Sequence, residues 1–456
     1  MKETLERSIE QRVRSAIWDG AMTRWVKIGT GALATIGECL DRCFPDRPVM
    51  VVCDPNTYAA AGRRVCEHLR TAGRRLLDPF VFEEEKLLAK YPFVQRLQTR
   101  LGETDAIAVA VGSGTINDLT KLASHLCDRP YMVVATAASM DGYTAFGASI
   151  SRDGFKQTFT CPAPLAVLVD LDVIAQAPPE MNAAGYADLL AKIPAGADWL
   201  LADAAGAEPV DGDAWALVQP NLRAWVGNPA GVRQGDRTAL AHLVEGLIMG
   251  GLAMQRAGSS RPASGADHQF SHLWDMQQHT HEGATPLHGN KVAIGTLASA
   301  AMYERVLAMP ADDLIADEDA LVARWPAWEH IEQAIRHDFP DAALAEQVLR
   351  QSRAKYLAPD ALARRLRRLK NNWTATCARL GDQLLSPERL QEMLVAAGAP
   401  HVPEEIGISR QRLHASHRIA QRIRSRYTVL DIITEADWWT PCVDDLFRNG
   451  GFWNKA

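Results

Sequence analysis

Four short apolar runs constrain the fold more than any other feature of the chain. They are Pro48-Val-Met-Val-Val-Cys-Asp54, Asp105-Ala-Ile-Ala-Val-Ala-Val-Gly112, Tyr131-Met-Val-Val-Ala-Thr136 and Ala166-Val-Leu-Val-Asp-Leu171. Each is apolar at successive positions, so both faces of the strand must be buried. Helical patterns at about 59–72, 83–101 and 117–127 separate them. Strands of this kind alternating with helices predict a parallel sheet covered on both sides. Further short strands are expected near Trp25-Val-Lys-Ile28 and at Leu77–Phe82, and Gly29-Thr-Gly-Ala-Leu33 leads into a helix.

After about residue 175 the pattern changes. Ala-rich helical periodicity recurs at 183–206, 237–257, 266–281, 289–308, 318–337, 341–356, 360–380, 386–397, 408–425 and 428–437, with almost no β-branched runs. A chain of 456 residues accommodates two domains. The expected division is an α/β domain over residues 1–175 and an all-α domain over 176–456.

The net charge of −6 argues against a general nucleic-acid or anionic-membrane binder, since both favour basic surfaces. The basic run Arg364-Arg-Leu-Arg-Arg-Leu-Lys370 reads as a solvated helix face. Eight cysteines are scattered without a C-x-x-C pair, and Cys53 falls in a buried strand. No disulfide framework is expected, and a reducing, cytoplasmic setting is the default. Met1-Lys-Glu-Thr-Leu-Glu-Arg7 shows no apolar signal segment. The most apolar run, Leu243 to Met254, is too short to span a bilayer and reads as a core helix.

Five stretches carry chemistry. Val111-Gly112-Ser113-Gly114-Thr115-Ile116-Asn-Asp118 joins a strand to a helix through glycines, which suits a phosphate cradle at a helix N-terminus. It lacks the third glycine of the usual dinucleotide fingerprint, and an ordinary strand-to-helix turn is an equal reading. Asp54 ends an upstream strand. A carboxylate there can accept the hydroxyls of an adenosine ribose, although the usual acid follows the glycine loop; otherwise Asp54 caps the next helix. Thr136-Ala-Ala-Ser139-Met-Asp141-Gly142 offers small residues, hydroxyls and an acid after a strand end. Gly185-Tyr-Ala-Asp188-Leu-Leu-Ala-Lys192 puts an acid into an apolar helix. Burying that acid demands a partner, either Lys192 one turn on or a metal.

The fifth stretch is Arg261-Pro-Ala-Ser-Gly-Ala-Asp-His268-Gln-Phe-Ser-His272, followed by Pro286-Leu-His288-Gly289. His268 and His272 share a helix face, and the Pro-Leu-His-Gly turn can return His288 beside them. One Asp and two His would make a three-ligand metal site with open positions, as catalytic zinc-type sites require. Spacing leaves open which histidines serve. His242, His279 and His281 read as satisfied polar residues.

All five stretches occur in order in one family. The chain resembles the sn-glycerol-1-phosphate dehydrogenases, within the superfamily of metal-dependent polyol dehydrogenases, iron-type alcohol dehydrogenases and dehydroquinate synthases. The resemblance rests on Asp54-Pro-Asn-Thr-Tyr58, Gly112-Ser-Gly-Thr115, Thr136-Ala-Ala-Ser-Met-Asp-Gly142, Gly185 to Lys192, Ser260 to His272, Leu287-His-Gly289 and Arg424-Ser-Arg-Tyr-Thr-Val-Leu-Asp431, spanning about residues 20 to 440. It implies an N-terminal dinucleotide-binding domain, a helical C-terminal domain and an active site in the cleft between them.

By the same resemblance, Asp188, His268 and His288 are the metal ligands and His272 faces substrate, with Asp141 and Asp188 also touching it. Gly112, Ser113, Gly114, Thr115 and Ile116, with Thr136, Ala137, Ala138 and Ser139, would hold NAD or NADP, and Asp54 its ribose. The implied substrate is a small phosphorylated triose or glycerol. One divalent metal is implied, zinc first, with nickel or iron fitting almost as well. A homo-oligomer is implied, with a dimer favoured, and neither nucleic acid nor membrane insertion. A dehydrogenase of another polyol or sugar phosphate, or a dehydroquinate-synthase-type lyase, is the alternative on this scaffold. Ala145 stands where serine is usual, Asp267 where glutamate is usual, and Asn290 where the wider superfamily has glutamate. None of these departures is expected to touch a ligand.

Overall fold

The computed structural model describes residues 2–152, 155–314 and 318–455. The chain forms two compact units. One gathers residues 1–189, 213–260 and 396–399, the other 190–212, 261–395 and 400–456.

The first unit is built on a six-stranded sheet. Its strands are β1 (Trp25–Gly29), β2 (Val49–Cys53), β3 (Phe80–Val81), β4 (Ile107–Gly112), β5 (Tyr131–Ala135) and, after a separate hairpin, Ala166–Asp170. That hairpin is β6 (Ala148–Arg152) with β7 (Phe155–Phe159), so Ala166–Asp170 is β8. The sheet order is β1-β8-β5-β4-β2-β3, and every pairing is parallel. Strands β2, β4, β5 and β8 are buried throughout, as continuous apolar runs require. Gly112 pairs with Ala135, so the turns after β4 and β5 emerge side by side at the carboxyl edge of the sheet. In open parallel sheets ligands bind at that edge.

Two expectations near β3 need correction. The strand is confined to Phe80–Val81, and the next helix begins at Tyr91 instead of residue 83. Pro92 lies in that helix's first turn, where a ring fixed near helical φ and lacking an N–H fits best. The antiparallel hairpin β6–β7 is interrupted by polar residues in both strands and gives no apolar run to read.

The helix Arg237–Ala257 also belongs to this unit and carries the run Leu243–Met254 as core. Its buried Glu245 receives two hydrogen bonds from Arg12, at 2.6 and 2.8 Å, which fasten the N-terminal helix Lys2–Ala16 to it. Gln255 Nε2 donates to Thr144 O (2.5 Å) and Thr23 Oγ1 (3.0 Å). Among the described residues no helix is long and apolar enough to cross a membrane. All eight cysteines are free thiols.

The second unit is helical. Its main elements include Lys192–Ala205, Ala266–Met276, His288–Leu307, Pro359–Gln383, Arg410–Arg422 and Val429–Glu435. A buried carboxylate joins them. Asp198 accepts from Ala266 N (2.6 Å), Tyr303 Oη (2.6 Å) and Val429 N (2.7 Å). Burial pushes its pKa up to about 6 despite these donors. Along Pro359–Gln383, Arg364, Arg367 and Arg368 are exposed, whereas Arg365 turns inward to Glu435 at 2.7 Å.

His417 is fully buried, donates from Nδ1 to Leu413 O (2.8 Å) and meets Phe270 edge-on at 4.8 Å. Burial pulls its pKa down to about 4. A depressed imidazole contributes stability above its ordinary pKa, and that stability is lost as pH falls through the folded value. From about pH 6.5 to about pH 4 the contribution amounts to about 3 kcal/mol. Asp198 has the opposite sign, because its raised pKa favours the fold at low pH. His417→Gln is therefore expected to flatten the acid limb of a urea-unfolding pH series. An unchanged slope would contradict this account of His417.

Candidate active site

Loop 136–145 leaves the carboxyl edge of the sheet and is fixed by close backbone approach. A Cβ on Gly185, in the helix Pro179–Leu190, would lie 1.8 Å from Ala138 O. A Cβ on Gly251, in Arg237–Ala257, would lie 2.2 Å from Thr144 Oγ1 and 2.9 Å from Asp141 O. Only glycine permits either contact. Asn182 Oδ1 accepts from Ala138 N at 3.0 Å, and Thr144 donates to Ile248 O at 2.7 Å. Lys121 is fully buried and gives its ammonium to the carbonyls of Gly142, Ala145 and Gly147.

Beside this loop lies the turn after β4. Ser113 precedes the helix Gly114–Leu126 without capping it by a side-chain hydrogen bond. Its hydroxyl instead meets Ser139 Oγ and lies 3.1 Å from Tyr143 Oη. Gly112, Ser113, Gly114, Thr115 and Ile116 are thus brought together with Thr136, Ala137, Ala138 and Ser139 through β4–β5 pairing and this hydroxyl cluster. Sequence reasoning missed Tyr143, whose hydroxyl also donates to Ala137 O at 2.5 Å. Nothing in its local pattern distinguishes it from an ordinary loop aromatic.

Asp54 stands at the end of β2, on the same edge of the sheet. Its Oδ1 accepts from Thr57 N at 2.8 Å and Thr57 Oγ1 at 3.1 Å, a helix cap. Oδ2 accepts no hydrogen bond among the described residues. The cap and a ribose contact are therefore compatible.

Asp188 sits in the last turn of Pro179–Leu190, the helix along which the chain passes from the first unit to the second. It is fully buried and accepts from Asp141 N at 3.0 Å. His268 lies in the first turns of Ala266–Met276, and His288 is the first residue of His288–Leu307. These two helices pack so closely that a Cβ on Gly295 would lie 2.1 Å from Asp267 O. A buried ion pair between Lys291 and Asp275 also joins them. The rings of His268 and His288 consequently stand 5.2 Å apart. One ligand atom from each of Asp188, His268 and His288 lies within 4.8 Å of the other two. His272 is close by, its ring 6.2 Å from His268 and 6.3 Å from His288, and stands outside that set.

Asp267 overturns one expectation. Its Oδ2 is hydrogen-bonded to His268 Nδ1, so the residue that departs from the family pattern does touch a proposed ligand. The same carboxylate accepts from Gly265 N at 3.1 Å. A carboxylate holding Nδ1–H fixes the ring and leaves the Nε2 lone pair to a metal. Ser271 Oγ stands 3.4 Å from His288 Nδ1 in the corresponding place. Two imidazoles and a buried carboxylate, one imidazole oriented from behind, fit a divalent ion such as zinc. His279, read as a satisfied polar residue, donates from Nε2 to Ile406 O at 2.6 Å and accepts from Arg412 at 2.8 Å.

Residues 27–178 match the family model of the iron-containing alcohol dehydrogenases. The chain is 32% identical to a glycerol-1-phosphate dehydrogenase [NAD(P)+] of Geobacillus stearothermophilus over 85% of its own length and 86% of that protein's. It is 30% identical to the enzyme of that name from Geobacillus thermodenitrificans, over 85% and 87% of the two chains. Among solved structures, glycerol dehydrogenase from Schizosaccharomyces pombe shares the fold with a TM-score of 0.58 at 15% identity, over 92% of this chain and 91% of that one. The chain belongs to the glycerol-1-phosphate dehydrogenase family, within the iron-containing alcohol dehydrogenase superfamily.

Proposed function

We propose that the chain catalyses the NAD(P)- and metal-dependent interconversion of dihydroxyacetone phosphate and sn-glycerol 1-phosphate. The observation that carries this reading is the convergence of Asp188, His268 and His288 in a chain of this family. Reduction adds a hydride to C2 of the ketone and a proton to its oxygen. The hydride would come from the dihydronicotinamide. Asp188, His268 and His288 would hold a divalent ion, whose chemistry there would be Lewis acidity.

The remaining work falls to the chain's own groups. Backbone N–H groups at the start of Gly114–Leu126 point their dipoles toward the carboxyl edge of the sheet and would hold the pyrophosphate, with Gly112 to Ile116 forming the cradle. Thr136 to Ser139, pinned by Gly185 and Asn182, would form the opposite wall, and Asp54 Oδ2 would accept a ribose hydroxyl. Asp141, whose N–H donates to Asp188, would orient a substrate hydroxyl with its carboxylate. His272 would hold the proton exchanged with the substrate oxygen. Burial of Asp188 and His268 would limit water at the reacting atoms.

The test is direct. Purified protein given dihydroxyacetone phosphate and NADH or NADPH is expected to oxidise the nicotinamide and yield sn-glycerol 1-phosphate. Formation of the opposite enantiomer, or no turnover of this ketone while another polyol or sugar phosphate turns over, would reject the substrate assignment.

A further inference from the structure

The helical unit holds three guanidinium groups near the start of the His268 helix, and they are not equivalent. Arg261 is buried and tied into the fold. It donates to Asp198 O at 2.7 Å and Tyr427 O at 3.0 Å, and lies 3.3 Å from Glu208. Arg426 donates to Ser264 O at 2.5 Å and to Ser264 Oγ. Arg424 is half-buried, and among the described residues it donates to no oxygen and pairs with no carboxylate.

This arrangement is unfavourable for a fold alone. An unpaired cation removed from water costs free energy, and like charges nearby add to that cost. Burial lowers the proton affinity of Arg424, and burial together with the neighbouring Arg261 lowers that of Arg426. Arg424 and Arg426 also sense one another electrostatically. Glu208 serves Arg261, and no carboxylate among the described residues pairs with Arg424. An anion with several acceptor oxygens would offset the cost instead, because guanidinium forks bind phosphate with charge-assisted hydrogen bonds.

The position suits the substrate. Ser264, which Arg426 holds, lies just ahead of the helix Ala266–Met276, four residues before His268 in the chain. In dihydroxyacetone phosphate one carbon and one bridging oxygen separate the carbonyl carbon from phosphorus, a short reach. We infer that Arg424, supported by Arg426 and Ser264, binds the phosphate group of the substrate. This rests on the phosphorylated triose proposed above. It assigns to Arg424 the distinction between phosphorylated and free triose.

Two measurements test it, one independent of turnover. First, inorganic phosphate is titrated against wild type and Arg424→Gln while the melting temperature is followed. Phosphate is expected to stabilise wild type and to have lost this effect in the variant. In phosphate-free buffer Arg424→Gln is expected to melt at or above the wild-type temperature, since the substitution removes an unpaired cation. A lower melting temperature there, or equal phosphate response in both proteins, overturns the proposal. Second, kcat/KM is compared for dihydroxyacetone phosphate and dihydroxyacetone. The preference for the phosphorylated ketone is expected to fall about a hundredfold in Arg424→Gln and to recover partly in Arg424→Lys. An unchanged preference overturns the assignment. Failure of wild type to reduce dihydroxyacetone phosphate would instead reject the proposed reaction, and the phosphate titration would still decide the anion site.

Discussion

His268→Ala is expected to abolish stoichiometric binding of a divalent metal and to lower kcat/KM by at least about a thousandfold. The helix carrying it should survive. His268 is hydrogen-bonded to Asp267, and Asp267 keeps its bond from Gly265 N. The stability loss should be about 1–2 kcal/mol, the cost of one unmet buried carboxylate oxygen and a small cavity. Circular dichroism and metal content, measured on the same sample, separate ligand loss from unfolding. Asp267→Ala should act more weakly, reducing metal affinity about tenfold to hundredfold, because it removes the group that orients the ring and leaves the ligand itself. If His268→Ala retains metal and turnover, the ligand assignment is wrong.

Gly185→Ala is expected to be the most disruptive single methyl in the first unit. Its Cβ would meet Ala138 O at 1.8 Å, Ala138 C at 2.7 Å and Ser139 Cα at 3.1 Å. All three are backbone atoms, so no side-chain rotation relieves the overlap. Either the helix Pro179–Leu190 moves, taking Asp188 with it, or loop 136–139 moves, taking the proposed cofactor wall. A loss of about 3 kcal/mol or more is expected, together with weaker NAD(P)H binding by fluorescence titration. Gly102→Ala is the control. Its Cβ would meet nothing within 4 Å, so it should leave stability equal or slightly raised. Equal stability of Gly185→Ala and wild type would refute the close approach.

What the sequence made legible was whatever had a period or a stop signal. Strands β2, β4, β5 and β8 stood out because burial on both faces leaves no alternative to a continuous apolar run. The helix Arg237–Ala257 has the bounds expected of it, with Asp236 capping one end and Gly258 in the left-handed conformation at the other. The hairpin β6–β7 and the late start at Tyr91 depended on weaker signals, short strands broken by polar residues and one proline. Within the site, His268 and His272 could be placed on one face by spacing. Contacts between segments far apart in sequence had no local signature. Asp198 gathers donors from Ala266, Tyr303 and Val429, and Glu245 receives Arg12 from the N-terminal helix. The bond from Asp267 to its own neighbour His268 escaped notice for another reason. Adjacent helical side chains ordinarily diverge, and only the first turn leaves room for the carboxylate to fold back.

The central claim is that this chain reduces dihydroxyacetone phosphate at a metal held by Asp188, His268 and His288. The most direct measurement is the nicotinamide-coupled assay on protein stripped by exhaustive chelation and then titrated with zinc, nickel or ferrous ion. The account predicts negligible turnover in the stripped protein, and recovery of sn-glycerol 1-phosphate formation that saturates at one ion per chain. Full turnover in protein shown to contain no metal would contradict it.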